Sequence, residues 1–241
     1  GILTHHRLIQ EKKKYQDITA WCLIAGFGIL LGLIAARKVI FVDEMSFQIN
    51  ILHFINHKTI VPIYINYPSL FSYLIGVPTI LLFSILYAIY PHTYPHLADP
   101  YYRTFFYEFH IYHWIFLGRA IVILAACAGL FVFYRFVRRH CGRSAALFTL
   151  ALAVLDPFSF YLDHAVYALP DAVVASLLFC MLAVLGNAVR SRSVPRLYLA
   201  AFLTGLAGSA KMNGLLPVIL VLAVLIANRK AFRGNPVKLL V

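Results

Sequence analysis

Two adjacent carboxylates, Asp43 and Glu44, follow directly after the first long apolar run of the chain, Ile18 to Val42. The chain has only nine acidic residues, so an acidic pair at the end of an apolar run is an unusual use of charge. Carboxylates beside lipid are costly and commonly serve a function, and one of them could act as a general base toward a hydroxyl or amine. The structural alternative is that the pair caps the helix exit and keeps the following segment in water.

Other polar side chains at the ends of apolar runs could bind an anion. Arg119 opens one apolar segment and could pair with Asp43 or Glu44, bind phosphate bidentately, or anchor the helix at the interface. Lys211 could place a point charge on a phosphate, or extend its ammonium to headgroups without a specific ligand. Asn213 could donate a hydrogen bond to the same phosphate, although asparagine before glycine is typical of a turn.

Two further candidates, His164 and Asp171, flank the connection between the predicted third and fourth spans. Asp171 follows Pro170 at the predicted first turn of a helix. The helix dipole favours a carboxylate at that position without any function, so this structural interpretation is preferred for Asp171.

Histidines occur in pairs spaced three or four residues apart, which places two imidazoles on one face of a helix. The pairs are His53 and His57, His92 and His96, and His110 and His113. No HExxH motif accompanies them, and the four cysteines show no CxxC spacing. The sequence therefore predicts no metal site and no cofactor, and these amphipathic rings are expected at the membrane interface.

Composition identifies the kind of element that must position these residues. Hydrophobic residues make up 62% of the chain and charged residues 12%, whereas soluble domains average about half and about a quarter. Several apolar runs approach the roughly 20 residues that a membrane helix needs, and the alternation typical of barrel strands is absent. The sequence predicts an all-α integral membrane protein built as a polytopic helical bundle.

The net charge of +12 comes from basic residues that lie between the apolar runs. This distribution does not predict a nucleic-acid partner, and anionic membrane lipids are the expected polyanion. By the positive-inside rule the basic clusters are expected on the cytoplasmic side. The clusters are residues 12–14, 135–143, 190–196 and 229–233.

About six membrane spans in a single transmembrane domain satisfy this rule. After a cytoplasmic segment 1–17, the predicted spans are 18–39, 115–136, 145–161, 172–189, 197–208 and 215–227. The loop 42–114 then lies on the outer face with Asp43 and Glu44. Its apolar segment 68–90 would move every later basic cluster outside if it crossed alone, so interfacial helices or a re-entrant element are predicted there.

An ordered series of short motifs resembles the N-terminal half of the PMT-like branch of the GT-C glycosyltransferases, of the glycosyltransferase family 39 type. The resemblance extends over about residues 18–230. Three departures are Met212, where members often have tyrosine after the lysine, Asp163, where they often have serine or a similar residue, and the shorter chain. The motifs are Val42-Asp43-Glu44, Tyr67-Pro68-Ser69-Leu70, Gly118-Arg119, Asp156-Pro157, Asp163-His164, Pro170-Asp171 and the segment 205–215 with Lys211.

The resemblance implies a polytopic enzyme that transfers a sugar from a polyprenyl-phosphate carrier to a lipid or protein acceptor at the outer membrane face. Asp43 would be the base, and Glu44 would orient the acceptor or a neighbouring side chain. The lipid-linked sugar is a substrate, so no cofactor is implied. The residues expected near substrate or phosphate are Arg119, Lys211, Asn213, His164 and Asp171.

Two other classes of function compete with the enzyme. A non-catalytic GT-C-like subunit that packs in a larger membrane complex is favoured by the short chain, whereas the acidic pair at 43 and 44 favours the enzyme. A transporter or channel is disfavoured, because the predicted helices lack the polar or charged stripe that an aqueous path requires.

Overall fold

The computed structural model describes residues 2–38, 42–63, 70–90, 99–155 and 165–228. These residues form α-helices joined by short turns, with no strand among them, which confirms the predicted all-α fold class. The helices are α1 (Ile2–Arg37), α2 (Val42–His57), α3 (Leu70–Ile89), α4 (Pro100–Phe109), α5 (Ile111–Cys141), α6 (Arg143–Leu155), α7 (Pro170–Ser191), α8 (Val194–Ala210) and α9 (Val218–Ala227), with a 3₁₀ turn at Met212–Leu215 between the last two.

Four helices in the described part of the chain contain a segment long and apolar enough to cross a membrane. Three of them, Ile18–Arg37 within α1, α5 and α7, overlap the predicted spans 18–39, 115–136 and 172–189. The fourth is α3, for which the sequence predicts an interfacial or re-entrant position. The helices at the other predicted spans, α6, α8 and α9, are shorter, and the count of six spans stays a prediction.

Helix α5 is central, and its neighbours run in defined directions. Trp21 of α1 stacks on Phe131 of α5, whereas the later Ala35 of α1 lies beside the earlier Arg119, so these two helices are antiparallel. Helix α7 runs parallel to α5. Successive close approaches join Gly118 to Ala168, Gly129 to Ser176 and Phe136 to Gly186.

This arrangement gives the bundle two chemically different ends. The C-terminal ends of α5 and α7 and the start of α8 form the arginine end, with Arg135, Arg138, Arg139, Arg190, Arg192 and Arg196. The opposite end is the carboxylate end, with Asp43, Glu44 and Asp171. The basic clusters within the described helices therefore share one end, as the charge rule requires; the cluster 229–233 lies outside the described residues.

Helix α3 packs on the carboxylate end of α5. Its Ile75 approaches Gly118, and its Phe83 lies 6.3 Å from the ring of Trp114. Both contacts involve the first turns of α5, far from the arginines. The position of α3 in the membrane stays a prediction.

Two clusters of buried apolar side chains hold the helices together. The larger is contributed by α1 to α7 and the segment that precedes α7, and it includes Phe27, Leu31, Phe71 and Leu130. The smaller joins α7, α8 and α9 around Met181. Where α5 meets α7, the helices come close enough that a Cβ on Gly129 would lie 2.6 Å from the Cβ of Ser176 and 2.7 Å from its Cα. Small residues at such interfaces let membrane helices pack backbone to backbone.

We expect Gly129→Ala to lower the free energy of unfolding by about 1–3 kcal/mol, because the added methyl forces α5 and α7 apart. The measurement is denaturant unfolding of the protein in detergent micelles. Gly26→Ala is the matched control, since apart from the backbone of its own helix no atom lies within 4 Å of the position that a Cβ would take at this glycine. Equal stability of the two variants would contradict the close helix contact.

Candidate functional site

The acidic pair lies in the first turn of α2, just after the end of α1. Helix α2 begins at Val42, so Asp43 and Glu44 lie where the helix dipole stabilises negative charge. Their burial differs: Asp43 is half-buried, whereas the side chain of Glu44 is fully buried. The two adjacent acids therefore occupy different environments.

Glu44 forms a two-pronged ion pair with Arg119 of α5. The Nε of Arg119 donates to Oε1 of Glu44 at 2.8 Å, and Nη2 donates to Oε2 at 2.7 Å. The backbone N–H of Ala168 also donates to Oε1 of Glu44, at 2.7 Å. Because charge-assisted bonds of this geometry are the strong ones, the buried carboxylate is well compensated.

Arg119 also binds the end of α1. Its Nη1 donates to the backbone carbonyls of Ala35 at 2.5 Å and of Lys38 at 3.1 Å. One guanidinium therefore joins α1, α2 and α5, and Glu44 adds the segment before α7. Of the alternatives that the sequence left open for Arg119, pairing with Glu44 is the one observed. A contact between Arg119 and phosphate stays a prediction.

Lys38 and Tyr167 are two members of this region that sequence reasoning missed. Tyr167 immediately precedes Ala168, and its ring lies 5.5 Å from the guanidinium carbon of Arg119 and 5.9 Å from Nζ of Lys38. Both distances are within the range of a cation–π interaction. Lys38 is exposed, so its ammonium can reach a ligand. In the sequence, Lys38 could have been included in the site because it precedes Asp43 by five residues.

A second ion pair joins Lys211 to Asp171. Nζ of Lys211 lies 2.5 Å from Oδ1 of Asp171, and their side chains are 31% and 17% exposed. Asp171 is in the first turn of α7, as predicted, and Lys211 directly follows α8. The sequence did not predict this pairing. The predicted topology contained an indication of it, because the start of α7 and the end of α8 lie on the same predicted side of the membrane.

Two predicted site residues remain, Asn213 and His164, and the structure describes the first of them. Asn213 is exposed within the 3₁₀ turn that follows Lys211, which is the turn position that its sequence context favours. In this turn Gly214 packs so closely on α8 that a Cβ would lie 2.3 Å from the carbonyl oxygen of Ala207. His164, with Asp163, lies outside the described residues.

A buried polar group extends from Glu44 along α2. The hydroxyl of Tyr107 in α4 donates to Oε1 of Gln48, one turn after Glu44. Burial raises the pKa of the Tyr107 hydroxyl far above its usual range, so this group is a neutral donor. Its ring stacks on Trp114. Among the described residues no acceptor binds Nε2 of Gln48 or Nε1 of Trp114.

The histidine pairs make ring contacts. The rings of His53 and His57 are 4.5 Å apart, and those of His110 and His113 are 5.5 Å apart. His92 and His96 lie outside the described residues. In the part of the chain that the structure describes, no group of three or more His, Cys, Asp or Glu side chains could hold a metal ion.

The comparisons with known proteins concern mainly the second half of the chain. Residues 109–241 match the family model described as dolichyl-phosphate-mannose-protein mannosyltransferase, which is more than half of the chain. This range includes Arg119, Asp171 and Lys211, whereas Asp43 and Glu44 precede it. No curated protein and no solved structure matches the chain.

We expect Arg119→Met to lower the free energy of unfolding by about 3–5 kcal/mol, because it leaves the carboxylate of Glu44 buried without its counter-charge. The measurement is unfolding of the protein in detergent. Lys211→Met removes the cation of the partly exposed pair and should cost about 0–1 kcal/mol. Equal losses of stability in the two variants would contradict the central structural role that burial indicates for the pair of Glu44 and Arg119.

Proposed function

The chain belongs to the dolichyl-phosphate-mannose-protein mannosyltransferase family, and we propose that it transfers a sugar from a polyprenyl-phosphate carrier to a hydroxyl or amine of a lipid or protein acceptor. In this proposal the reaction occurs at the carboxylate end, which faces the outer side of the membrane. Asp43 is the base.

The observation that carries the proposal is the unequal environment of the two adjacent acids. Both oxygens of Glu44 accept hydrogen bonds from Arg119, and Glu44 is completely buried. Asp43, one residue earlier in the same helical turn, is half-buried and reaches the surface. Glu44 therefore fits the role of orienting a neighbouring group, while Asp43 can meet an acceptor.

The reaction requires one base and positive charge near the departing phosphate. Asp43 takes the proton from the acceptor, whose oxygen or nitrogen forms a bond to the anomeric carbon of the sugar. The bond between that carbon and the phosphate oxygen breaks, and its electron pair leaves with the carrier phosphate. Because this leaving group departs as a stabilised anion, no general acid is needed. The displacement inverts the anomeric carbon.

Two lysines at the same end are suited to the phosphate. The ammonium of Lys38 is exposed one residue beyond α1, whose end Arg119 ties to Glu44. Lys211 is paired with Asp171, but both side chains retain solvent access. A lysine acts on phosphate as a point charge and does not need the planar geometry of arginine. We include Asn213 and His164 as further candidates for substrate binding, and Asp171 as the residue that orients Lys211.

We expect Asp43→Asn to reduce sugar transfer by about 100- to 10,000-fold, because the amide cannot accept the proton of the acceptor. The assay measures transfer of radiolabelled sugar from polyprenyl-phosphate donors in membranes that express the chain within its complete reading frame. Asp99→Asn is the matched control: Asp99 caps α4 through the N–H of Tyr101, and asparagine caps helices equally well.

Full activity of Asp43→Asn at matched expression would exclude Asp43 as the base. If the unmodified protein transfers no sugar from a broad donor panel but co-purifies stoichiometrically with a larger assembly, the non-catalytic subunit would replace the enzyme as the proposed function.

For Lys38→Gln we expect kcat/KM for the lipid-linked donor to fall about tenfold, because one charge-assisted contact to the departing phosphate is lost. The substitution keeps the backbone carbonyl that binds Arg119. Arg37→Gln removes the neighbouring exposed cation and is the control. Equal effects of the two substitutions would indicate general surface attraction and would exclude a specific contact at Lys38.

A further inference from the structure

A groove of about 740 Å³ lies between α5 and α7 at the arginine end. Arg135, Arg138 and Arg139 of α5 line it, together with Asn187 of α7. This groove is at the opposite end of the bundle from Glu44 and has no part in the proposed sugar transfer. We propose that it binds the phosphate headgroup of an anionic phospholipid.

The spacing of the three arginines favours a common ligand. Positions 135, 138 and 139 are separated by three and four residues, so their side chains emerge from one face of α5. Arg135 and Arg139 are exposed and Arg138 is half-buried. Guanidinium groups bind phosphate oxygens with paired N–H donors, and the amide of Asn187 can add another donor.

The surrounding sequence adds no negative charge along α5 or the later part of α7. Residues 109–155 and 172–241 contain no aspartate or glutamate. The N-terminal segment 1–17 contains Glu11 and Asp17, but its Arg7 and its lysines at 12–14 outnumber them. The arginine end as a whole therefore attracts anions.

The favourable interaction of cations with the C-terminal end of the α5 helix dipole does not explain all three arginines. Arg138 and Arg139 lie in the last turn of α5, where cations are favoured in any case. Arg135 lies one turn earlier, beyond most of that effect, and its guanidinium is held 5.8 Å above the ring of Phe131. Three arginines along one wall of an open groove are more than the helix end requires.

The apolar part of the groove lining favours a lipid over a free anion. Phe136, Val132 and Ala183 line the same groove as the arginines. Phe136 packs closely on α7, because a Cβ on Gly186 would be 2.6 Å from its ring and would force the ring to move. A lining with both arginines and apolar side chains matches a phospholipid, whose phosphate and acyl chains need both, whereas free phosphate would use the arginines alone.

The test is native mass spectrometry of the purified chain in micelles doped with equal amounts of phosphatidylglycerol and phosphatidylcholine. We expect retention of phosphatidylglycerol in preference to phosphatidylcholine. The groove variant, Arg135→Gln with Arg138→Gln and Arg139→Gln, should lose phosphatidylglycerol retention by about tenfold or more. The matched control removes three arginines of the same end, Arg190→Gln with Arg192→Gln and Arg196→Gln. It should reduce retention much less than the groove variant does, because these side chains do not line the groove.

Three results would overturn the proposal. Equal losses in the two triple variants would indicate general attraction to the basic surface. Absence of a preference for phosphatidylglycerol would exclude a site selective for an anionic lipid, because phosphatidylcholine also carries a phosphate but has no net charge. Full displacement of the lipid by millimolar inorganic phosphate would indicate a site for the free anion. If the groove triple variant does not fold, the exposed Arg139→Gln alone carries the test, with an expected loss of about fivefold.

Discussion

The buried pair of Glu44 and Arg119 is the interaction on which the carboxylate end depends. Removing two charges from water costs several kcal/mol per ion unless each finds several partners. Glu44 receives hydrogen bonds from the guanidinium and from the N–H of Ala168, and Arg119 also reaches two carbonyls at the end of α1. The helices must therefore meet at this point, because separating any of them would leave a charge or a carbonyl unpaired.

This requirement explains how α2 is placed. The chain leaves α1 near Lys38 and begins α2 at Val42, and Arg119 binds both sides of that short connection. With Glu44 directed into the bundle, the adjacent residue in the helix lies about 100° around the axis, where Asp43 is only half-buried. The hydrogen bonds that hold the buried Glu44 therefore also determine where Asp43 lies, which is partly open to the surface.

The features that sequence predicted well are those set by local composition and by charge. Long apolar runs predicted α1, α5 and α7, and the spacing of basic residues predicted that their clusters share one end. The sequence did not predict helix α2 and assigned its residues to the outer loop, because its first turn and its histidines are polar. Some contacts form only between segments that are far apart in the sequence, such as those of Lys38 with Tyr167 and of Lys211 with Asp171. Local sequence patterns do not predict contacts of this kind.

The difference between the two ion pairs determines which cations can serve a substrate. Arg119 donates four hydrogen bonds to protein acceptors and is 4% exposed. Turning it toward a phosphate would leave Glu44 buried without its counter-charge and would lower the free energy of unfolding by about 3–5 kcal/mol. Lys211 and Asp171 retain solvent access, and exchanging such a partner costs about 0–1 kcal/mol. In the proposed function, a phosphate at the carboxylate end can therefore recruit Lys211 or the exposed Lys38 without disturbing the pair of Glu44 and Arg119. In the proposed function, the arginine therefore acts by keeping Asp43 in place, and the lysines supply the adjustable charge.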